Sequence, residues 1–276
     1  QLISTNAAQR RAFVVYRGKL CEVPSGFTLM SPSRIWPILR TPLLSWRGKL
    51  RLAGELLIPR KRDAGDESLT AMATRRFGRE AFERLIQPLI GGIYTADPQR
   101  LSMAATMPQF SEMERKYGSL ILGVRKTAQT HSASGARYGL FVAPRGGMSE
   151  LVTAVAAQLP TDTVHCRQRV LQVSRTTTGW KLQTERPFPV QIFDGVLIAT
   201  PAFRAADLLE GARQDLSQQL RAIPYASAAV AAVVYRREQI AHPLNGFGFV
   251  VPQCEQRQIL AASFSHVKFA DRAPPE

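Results

Sequence analysis

Residues 77–120 read FGREAFERLIQPLIGGIYTADPQRLSMAATMPQFSEMERKYGSL, and their reading decides the fold. Phe82, Leu85, Ile86 and Leu89 recur at helical spacing, which predicts one buried face. Gly78 suits the C-cap of a preceding helix over 68–77. Pro88 lacks an N–H and its ring clashes with the preceding turn, so the helix is expected to stop near it. Gly91-Gly92 then ends the helix, or lets the backbone take positive φ or approach another group closely. Asp97-Pro98 reads as a turn into a new helix with proline near its first position. Leu101, Ala104, Ala105 and Met113 are expected in the core. The stretch therefore predicts a buried helical hairpin around a special backbone position.

On its N-terminal side, residues 13–16 and 20–23 alternate as the strands of a hairpin turning at Arg17-Gly18. Residues 27–62 mix large apolar side chains with eight cations and one acid, Glu55. A helix can run over 42–58, with Leu43, Trp46, Leu50, Ala53 and Leu57 on one stripe. Arg47 and Arg51 border the stripe, and Lys49 points away from it. Tryptophan and leucine on one side with cations elsewhere is the pattern of an in-plane interfacial membrane helix. A core helix with solvated cations gives the same pattern. Residues 1–62 carry a net +10 of the chain's +15, which points to an anionic partner. A basic cluster gains about 1 kcal/mol per residue near anionic lipid. Nucleic acid is not the expected partner, because the aromatics are interleaved with leucines and no reading motif is present.

On the C-terminal side the period changes. Residues 127–137 are small and polar, a linker. Strands are expected over 138–142, 163–173, 180–184 and 190–200, with a helix over 149–159 that Ser149 would cap. Short helices follow over 204–210 and 212–223. Strands over 225–236, 246–252 and 259–264 complete part of an antiparallel sheet. The order predicts an α+β or α/β architecture with a ligand at strand ends.

The 276 residues are 45% hydrophobic and bury a sizeable core. Cys21, Cys166 and Cys254 are far apart and odd in number, and the four histidines are scattered. A disulfide framework or zinc site is not expected, and a reducing compartment fits. No run approaches 18 consecutive apolar residues, so no spanning helix is expected. The Gly-x-Gly-x-x-Gly fingerprint is absent, and no acid/base pair, nucleophile or metal cluster stands out.

Three pieces of the opening stretch keep a fixed order: Gly91-Gly92-Ile93-Tyr94, Asp97-Pro98 with Leu101-Ser102-Met103, and Glu114 with Gly118-Ser119-Leu120. With RGKL…VP, RGGM, GW…FDGVLIATPA, GFGFVVP and FADRAP, this order resembles the protoporphyrinogen oxidase family of flavoenzymes. The resemblance covers essentially the whole chain. It implies a partial flavin amine oxidase-like FAD/NAD(P)-binding fold, with an inserted helical membrane-binding domain and part of an antiparallel-sheet substrate domain. The implied boundaries are 1–26 for a substrate-domain hairpin, 27–126 for the membrane-binding domain, 127–201 for the central FAD-binding part, and 202–276 for more substrate domain. The chain is expected to be a central fragment, inactive alone, with both terminal FAD segments elsewhere.

The resemblance further implies FAD as cofactor and protoporphyrinogen IX as substrate, oxidised to protoporphyrin IX with oxygen as acceptor in haem synthesis. Coproporphyrinogen III is the alternative substrate. A flavin amine oxidase and a non-catalytic basic membrane-binding module are the more distant alternatives. Val170 matches the valine whose backbone meets the adenine end of FAD. Gly92 matches a glycine facing the tetrapyrrole, and Val250 and Ser263 match apolar residues flanking the ring. Ser263 departs from the leucine of some members. Arg11 is the nearest match to an arginine that pairs with a propionate, one place out of register. No catalytic side chain and no metal ligand is implied. A peripheral position is implied, on the cytoplasmic face of a bacterial membrane or on an organellar membrane of a eukaryote.

Overall fold

The computed structural model describes residues 1–61, 63, 65–130, 141–187 and 192–273. The chain falls into two units, Gln1–Met148 with Ala228–Glu276, and Ser149–Ser227.

In the first unit, local cap chemistry sets the helix ends. The helices are α1 (Trp36–Arg40), α2 (Trp46–Ala53), α3 (Leu69–Phe77), α4 (Arg79–Ala81), α5 (Gln87–Tyr94), α6 (Met103–Thr106), α7 (Pro108–Tyr117) and α8 (Leu120–Thr130). Ser45, Ser68 and Ser102 start α2, α3 and α6 by accepting N–H groups of the first turn. Gly78 ends α3 as the sequence predicts, and Gly118, at φ 73°, ends α7. Leu43, Leu69, Met72, Leu85, Ile86, Ile90, Met103, Met107 and Leu120 form a single buried cluster.

Three expectations about residues 77–120 are corrected. The chain does not stop at Pro88 or at Gly91-Gly92; α5 runs through all three and ends at Thr95, φ 49°. A π-turn over Phe82–Ile86 explains this, with the Gln87 N–H bonded to the Phe82 carbonyl. The wider turn leaves room for the pyrrolidine ring, and the missing N–H falls at the start of α5, where it costs little. Pro98 lies in a turn rather than in a helix, and the next helix waits for the Ser102 cap. Met103 and Met107, not Ala104 and Ala105, fill the core there.

The helix expected over 42–58 is shorter and is turned differently. It covers Trp46–Ala53, followed by a 3-10 turn over Gly54–Leu57. Leu43, Leu44 and Leu52 face inward, whereas Trp46 (69% exposed), Leu50 (72%) and Leu57 face out. No helix among the described residues is long and apolar enough to cross a membrane.

The strands of this unit are β1 (Leu2–Ser4), β2 (Phe13–Tyr16), β3 (Lys19–Glu22), β4 (Phe27–Thr28), β5 (Ser31–Pro32) and β6 (Val142–Pro144), with β10 and β11 later in the chain. β2 and β3 form the expected hairpin, turning at Arg17 (φ 52°) and Gly18 (φ 72°), the positive angles of a two-residue turn. β10 (Gly248–Val250) pairs in parallel with β2 and antiparallel with β11 (Ala261–Ser263), giving the order β11-β10-β2-β3. β1 pairs with β6, and β4 with β5.

The second unit holds an antiparallel sheet, β7 (Val170–Arg175), β8 (Trp180–Thr184) and β9 (Ile192–Phe193). Helices α10 (Ala202–Leu209) and α11 (Gln214–Arg221) pack together, and α10 packs on β7, burying Val173 and Ala206. Helix α9 (Ser149–Ala156) keeps Leu151, Val152 and Val155 exposed. Three expected strands are absent or cut short. Residues 163–169 and 194–200 are irregular, and residues 225–236 form no strand. Leu197 is 98% and Val230 99% exposed. A strand needs a neighbour for its main-chain groups, and none among the described residues forms a ladder with these stretches beyond the single Glu185 N–H bonded to the Arg169 carbonyl. The linker expected over 131–137 and the strand residues expected at 138–140 and 190–191 lie outside the described residues.

Candidate functional site

The site is built around α5, whose two glycines provide closeness rather than unusual angles. A Cβ on Gly91 would lie 3.2 Å from Gln87 Nε2, and one on Gly92 would lie 3.4 Å from Val250 Cγ1. Helix α5 thus approaches β10 through a position without a side chain. In β10–β11 the register pairs Gly248 with Ser263 and Val250 with Ala261. Side chains alternate along a strand, so Val250 and Ser263 share the face that looks toward α5. Phe249 takes the opposite face, its ring 6.0 Å from Phe264, and His242 stands 5.4 Å from Phe13 and 6.0 Å from Phe264.

The structure therefore brings Gly92 and Val250 together and sets Ser263 on the same sheet face. Arg11 stands just before β2 with its side chain exposed, and its carbonyl accepts the Phe247 N–H at 2.7 Å as the chain enters β10. A cleft of ≈ 310 Å³ opens beside the end of α5, lined by Leu29, Ile90, Ile93, Tyr94, Met107 and Phe141 among others. It is mainly apolar and lies at the low end of ligand-pocket sizes, about 300–1,000 Å³.

Two features of this neighbourhood were missed at the level of sequence. Gln87 is buried, and its Oε1 accepts the Gln253 N–H. Glu255, one short turn further on, accepts the N–H of Arg17 at 2.7 Å. Carboxylate spacing gave no hint of either contact. At regular helical spacing Gln87 falls away from the Phe82, Leu85, Ile86 and Leu89 face, and the π-turn is what brings it into the core.

The motif Glu114 with Gly118-Ser119-Leu120 is scaffold. Arg76, fully buried, reaches the Gly118 carbonyl at 2.6 Å, Glu114 at 3.0 Å and Glu55 at 3.4 Å. Glu55 in turn accepts the Ser119 hydroxyl and, at 2.8 Å, the Leu120 N–H, capping α8 from another element. Burial pushes the Glu114 carboxyl up, but hydrogen bonds from Arg75 and the Lys61 N–H, with both arginine charges, hold it below its ordinary value. Among the described residues, no group of His, Cys, Asp and Glu could hold a metal ion.

Val170 lies in the second unit, at the start of β7. Its register partner is Thr184, and the next pair is Gln172 with Gln183, so Leu171 is left out of the ladder. This bulge frees main chain beside Val170, which fits a backbone contact to a ligand such as the adenine end of FAD. Val170 is the one residue here matched to the cofactor.

The flavin-containing amine oxidoreductase model matches residues 2–276. Coproporphyrinogen III oxidase of Bacillus subtilis (strain 168) is 29% identical over 272 residues, 98% of this chain and 57% of that protein. Protoporphyrinogen oxidase 2, chloroplastic/mitochondrial, of Arabidopsis thaliana is 26% identical over 300 residues, 97% of this chain and 59% of that protein. A crystal structure from Exiguobacterium sp. 255-15, provisionally named for protoporphyrinogen oxidase, superposes with a TM-score of 0.77 at 25% identity. That match covers 99% of this chain and 58% of the other. Reduced UDP-galactopyranose mutase, at TM-score 0.55 and 14% identity over 96% of this chain and 54% of its own, shares the fold alone. The chain spans 57% and 60% of the lengths of the Bacillus subtilis and Staphylococcus aureus relatives. With the match running from residue 2 to residue 276, the chain belongs to the flavin-containing amine oxidoreductase family, carries its FAD-binding fold, and has FAD as its cofactor.

Proposed function

We propose that the full-length protein oxidises protoporphyrinogen IX to protoporphyrin IX, with oxygen as the final acceptor. The observation that carries this reading is the glycine-floored approach of α5 to β10, with Gly92 facing Val250. An apolar macrocycle needs a closely approached apolar wall more than it needs acid/base side chains. FAD supplies the redox chemistry by accepting hydride from the substrate. The net balance is one porphyrinogen and three O2 to one porphyrin and three hydrogen peroxides. In this chain, Gly92, Val250 and Ser263 would orient the ring and exclude water, Arg11 would meet a propionate, and Val170 would meet the cofactor through its backbone. The domain assignment that goes with this gives 1–26 and 202–276 to the substrate domain, 27–126 to membrane binding and 127–201 to the FAD domain.

Coproporphyrinogen III is the second reading, supported by the 29% identity to the Bacillus subtilis enzyme of that name. Full-length protein with FAD, offered each porphyrinogen in turn under air, is expected to produce fluorescent porphyrin from one or both. Failure with both removes the reading.

The partner of the basic face is an anionic membrane in this account. Trp36, Leu39, Trp46, Leu50 and Leu57 are exposed together with Arg34, Arg40 and Arg47. The segment's single acid, Glu55, is fully buried, so the segment itself exposes cations and no carboxylate, the nearest being Glu80 of α4, which bonds Ser45. Lys49 bonds the Leu39 carbonyl at 2.7 Å and covers the Trp46 ring, joining the two helices into a platform. Because the core takes Leu52, it does not account for Trp46 and Leu50. The full-length protein is expected to sediment with phosphatidylglycerol vesicles but not with phosphatidylcholine vesicles. Undiminished sedimentation of a Trp46→Ala, Leu50→Ala double variant would count against this surface.

A further inference from the structure

Helix α5 carries Gly92 and strand β10 carries Val250, so the spacing between these two elements is what a bound ring would sense. One buried amide joins them. Gln87, 5% exposed, stands at the first position of α5, and its Oε1 accepts the Gln253 N–H at 3.1 Å. Gln253 lies three residues beyond Val250 and begins the 3-10 turn Gln253–Glu255. At the far end of that turn, Glu255 holds the main chain of the β2–β3 turn through the Arg17 N–H. Helix, exit of β10 and hairpin are thus tied in series by one amide and one carboxylate.

Two further details show that the local chain is arranged around this amide. The π-turn Phe82–Ile86 adds a residue immediately before Gln87 and so changes the face on which Gln87 falls. Gly91, one helical turn later, leaves space that the Gln87 Nε2 occupies, 3.2 Å from where a Cβ would stand. A buried amide is retained only with partners, and a leucine would fill the same volume without needing one.

We infer that Gln87 is a positioning residue, fixing the spacing of Gly92 and Val250 through the Gln253 N–H and thereby setting how tightly the substrate ring is held. The inference rests on the porphyrinogen reading given above. Its test uses the full-length, FAD-loaded enzyme with Gln87→Leu, Gln87→Glu and Gln253→Pro. Gln87→Leu removes the acceptor, and Gln87→Glu keeps one. Gln253→Pro removes the donor at the start of a helical turn, where proline is tolerated, and Pro252 already has the extended backbone (ψ 145°) that precedes proline.

Gln87→Leu and Gln253→Pro are each expected to raise KM for the porphyrinogen roughly tenfold, the scale of one lost buried hydrogen bond. FAD content should hold and kcat should stay within about twofold, while Gln87→Glu recovers most of the change. KM unchanged in both variants overturns the inference, as does a matched loss of kcat and FAD with no KM effect. Should Gln87→Leu not fold, Gln253→Pro decides alone. Amide exchange at Gln253, measured in the wild type and Gln87→Leu, reads the bond itself without turnover. Protection lost in the variant supports the strap, and unchanged protection overturns it. A wild type that oxidises no porphyrinogen removes the substrate reading instead, and the exchange result still stands on its own.

Discussion

Gly92 is a glycine for space, since it sits inside a helix with ordinary backbone angles. Alanine there would place a methyl 3.4 Å from Val250 Cγ1, an ordinary contact that the fold accommodates. The same methyl presses on the Val250 side chain proposed to flank the ring, so Gly92→Ala should raise KM for the porphyrinogen roughly tenfold, the scale of one methylene in an apolar pocket. Its melting temperature should stay near that of the wild type; an unchanged KM contradicts the placement. Gly248 is different: at φ 142°, a Cβ would fall 2.1 Å from the Ala262 carbonyl oxygen. Gly248→Ala should therefore cost more than about 2 kcal/mol, read from the denaturant midpoint. Among single residues, Gly78 and Arg17-Gly18 were legible because caps and turns are local chemistry. Gln87 was not, because a helix glutamine reads as solvated until its partner 166 residues away is known. For Gly92, close approach was one of the two options that the sequence left open, and only the neighbour Val250 decides it.

At the scale of elements, α3, α7 and α8 meet at a buried ion cluster. Arg76 also bonds the Ile58 carbonyl at 2.8 Å, and Arg75 bonds Glu114 at 2.8 Å and Glu67 at 2.6 Å. Removing one member strands the others in a dry site, so Arg76→Leu should cost about 3–5 kcal/mol, seen as a lower melting temperature. A variant within experimental error of the wild type would show that the cluster is not needed. Glu114 makes a pH-dependent contribution. Its folded pKa lies below the ordinary 4.5, so its stabilisation is complete above that value and is lost as pH falls through the folded pKa. The stability gap between wild type and Glu114→Gln should thus be constant above pH 4.5 and should close below it; a gap that widens in acid contradicts the sign. The existence of helices up to 126 was legible from periodicity, whereas α8 runs on to Thr130, into the stretch expected as linker. The direction of α2 was not, because it carries apolar residues on two faces and only packing chooses between Leu52 and Trp46.

For the whole molecule, motif order carried more information than strand pattern. Glycine pairs, caps and turns at fixed spacing identified the fold, and the family match over residues 2–276 agrees. Strand pattern misled over 194–200 and 225–236, where apolar runs stand exposed without partners among the described residues. Pattern reports what a strand could bury, whereas pairing depends on which neighbour is present. In the proposed function a porphyrinogen ring lies beside Gly92, where bound FAD would oxidise it. Anaerobic mixing of the full-length, FAD-loaded protein with protoporphyrinogen IX or coproporphyrinogen III tests it most directly. The account predicts that without air the flavin bleaches as it takes two electrons, more slowly in Gly92→Ala at low substrate, and that porphyrin fluorescence follows only once oxygen is admitted. A flavin that stays oxidised with both porphyrinogens, yet is bleached by an amine, would contradict it.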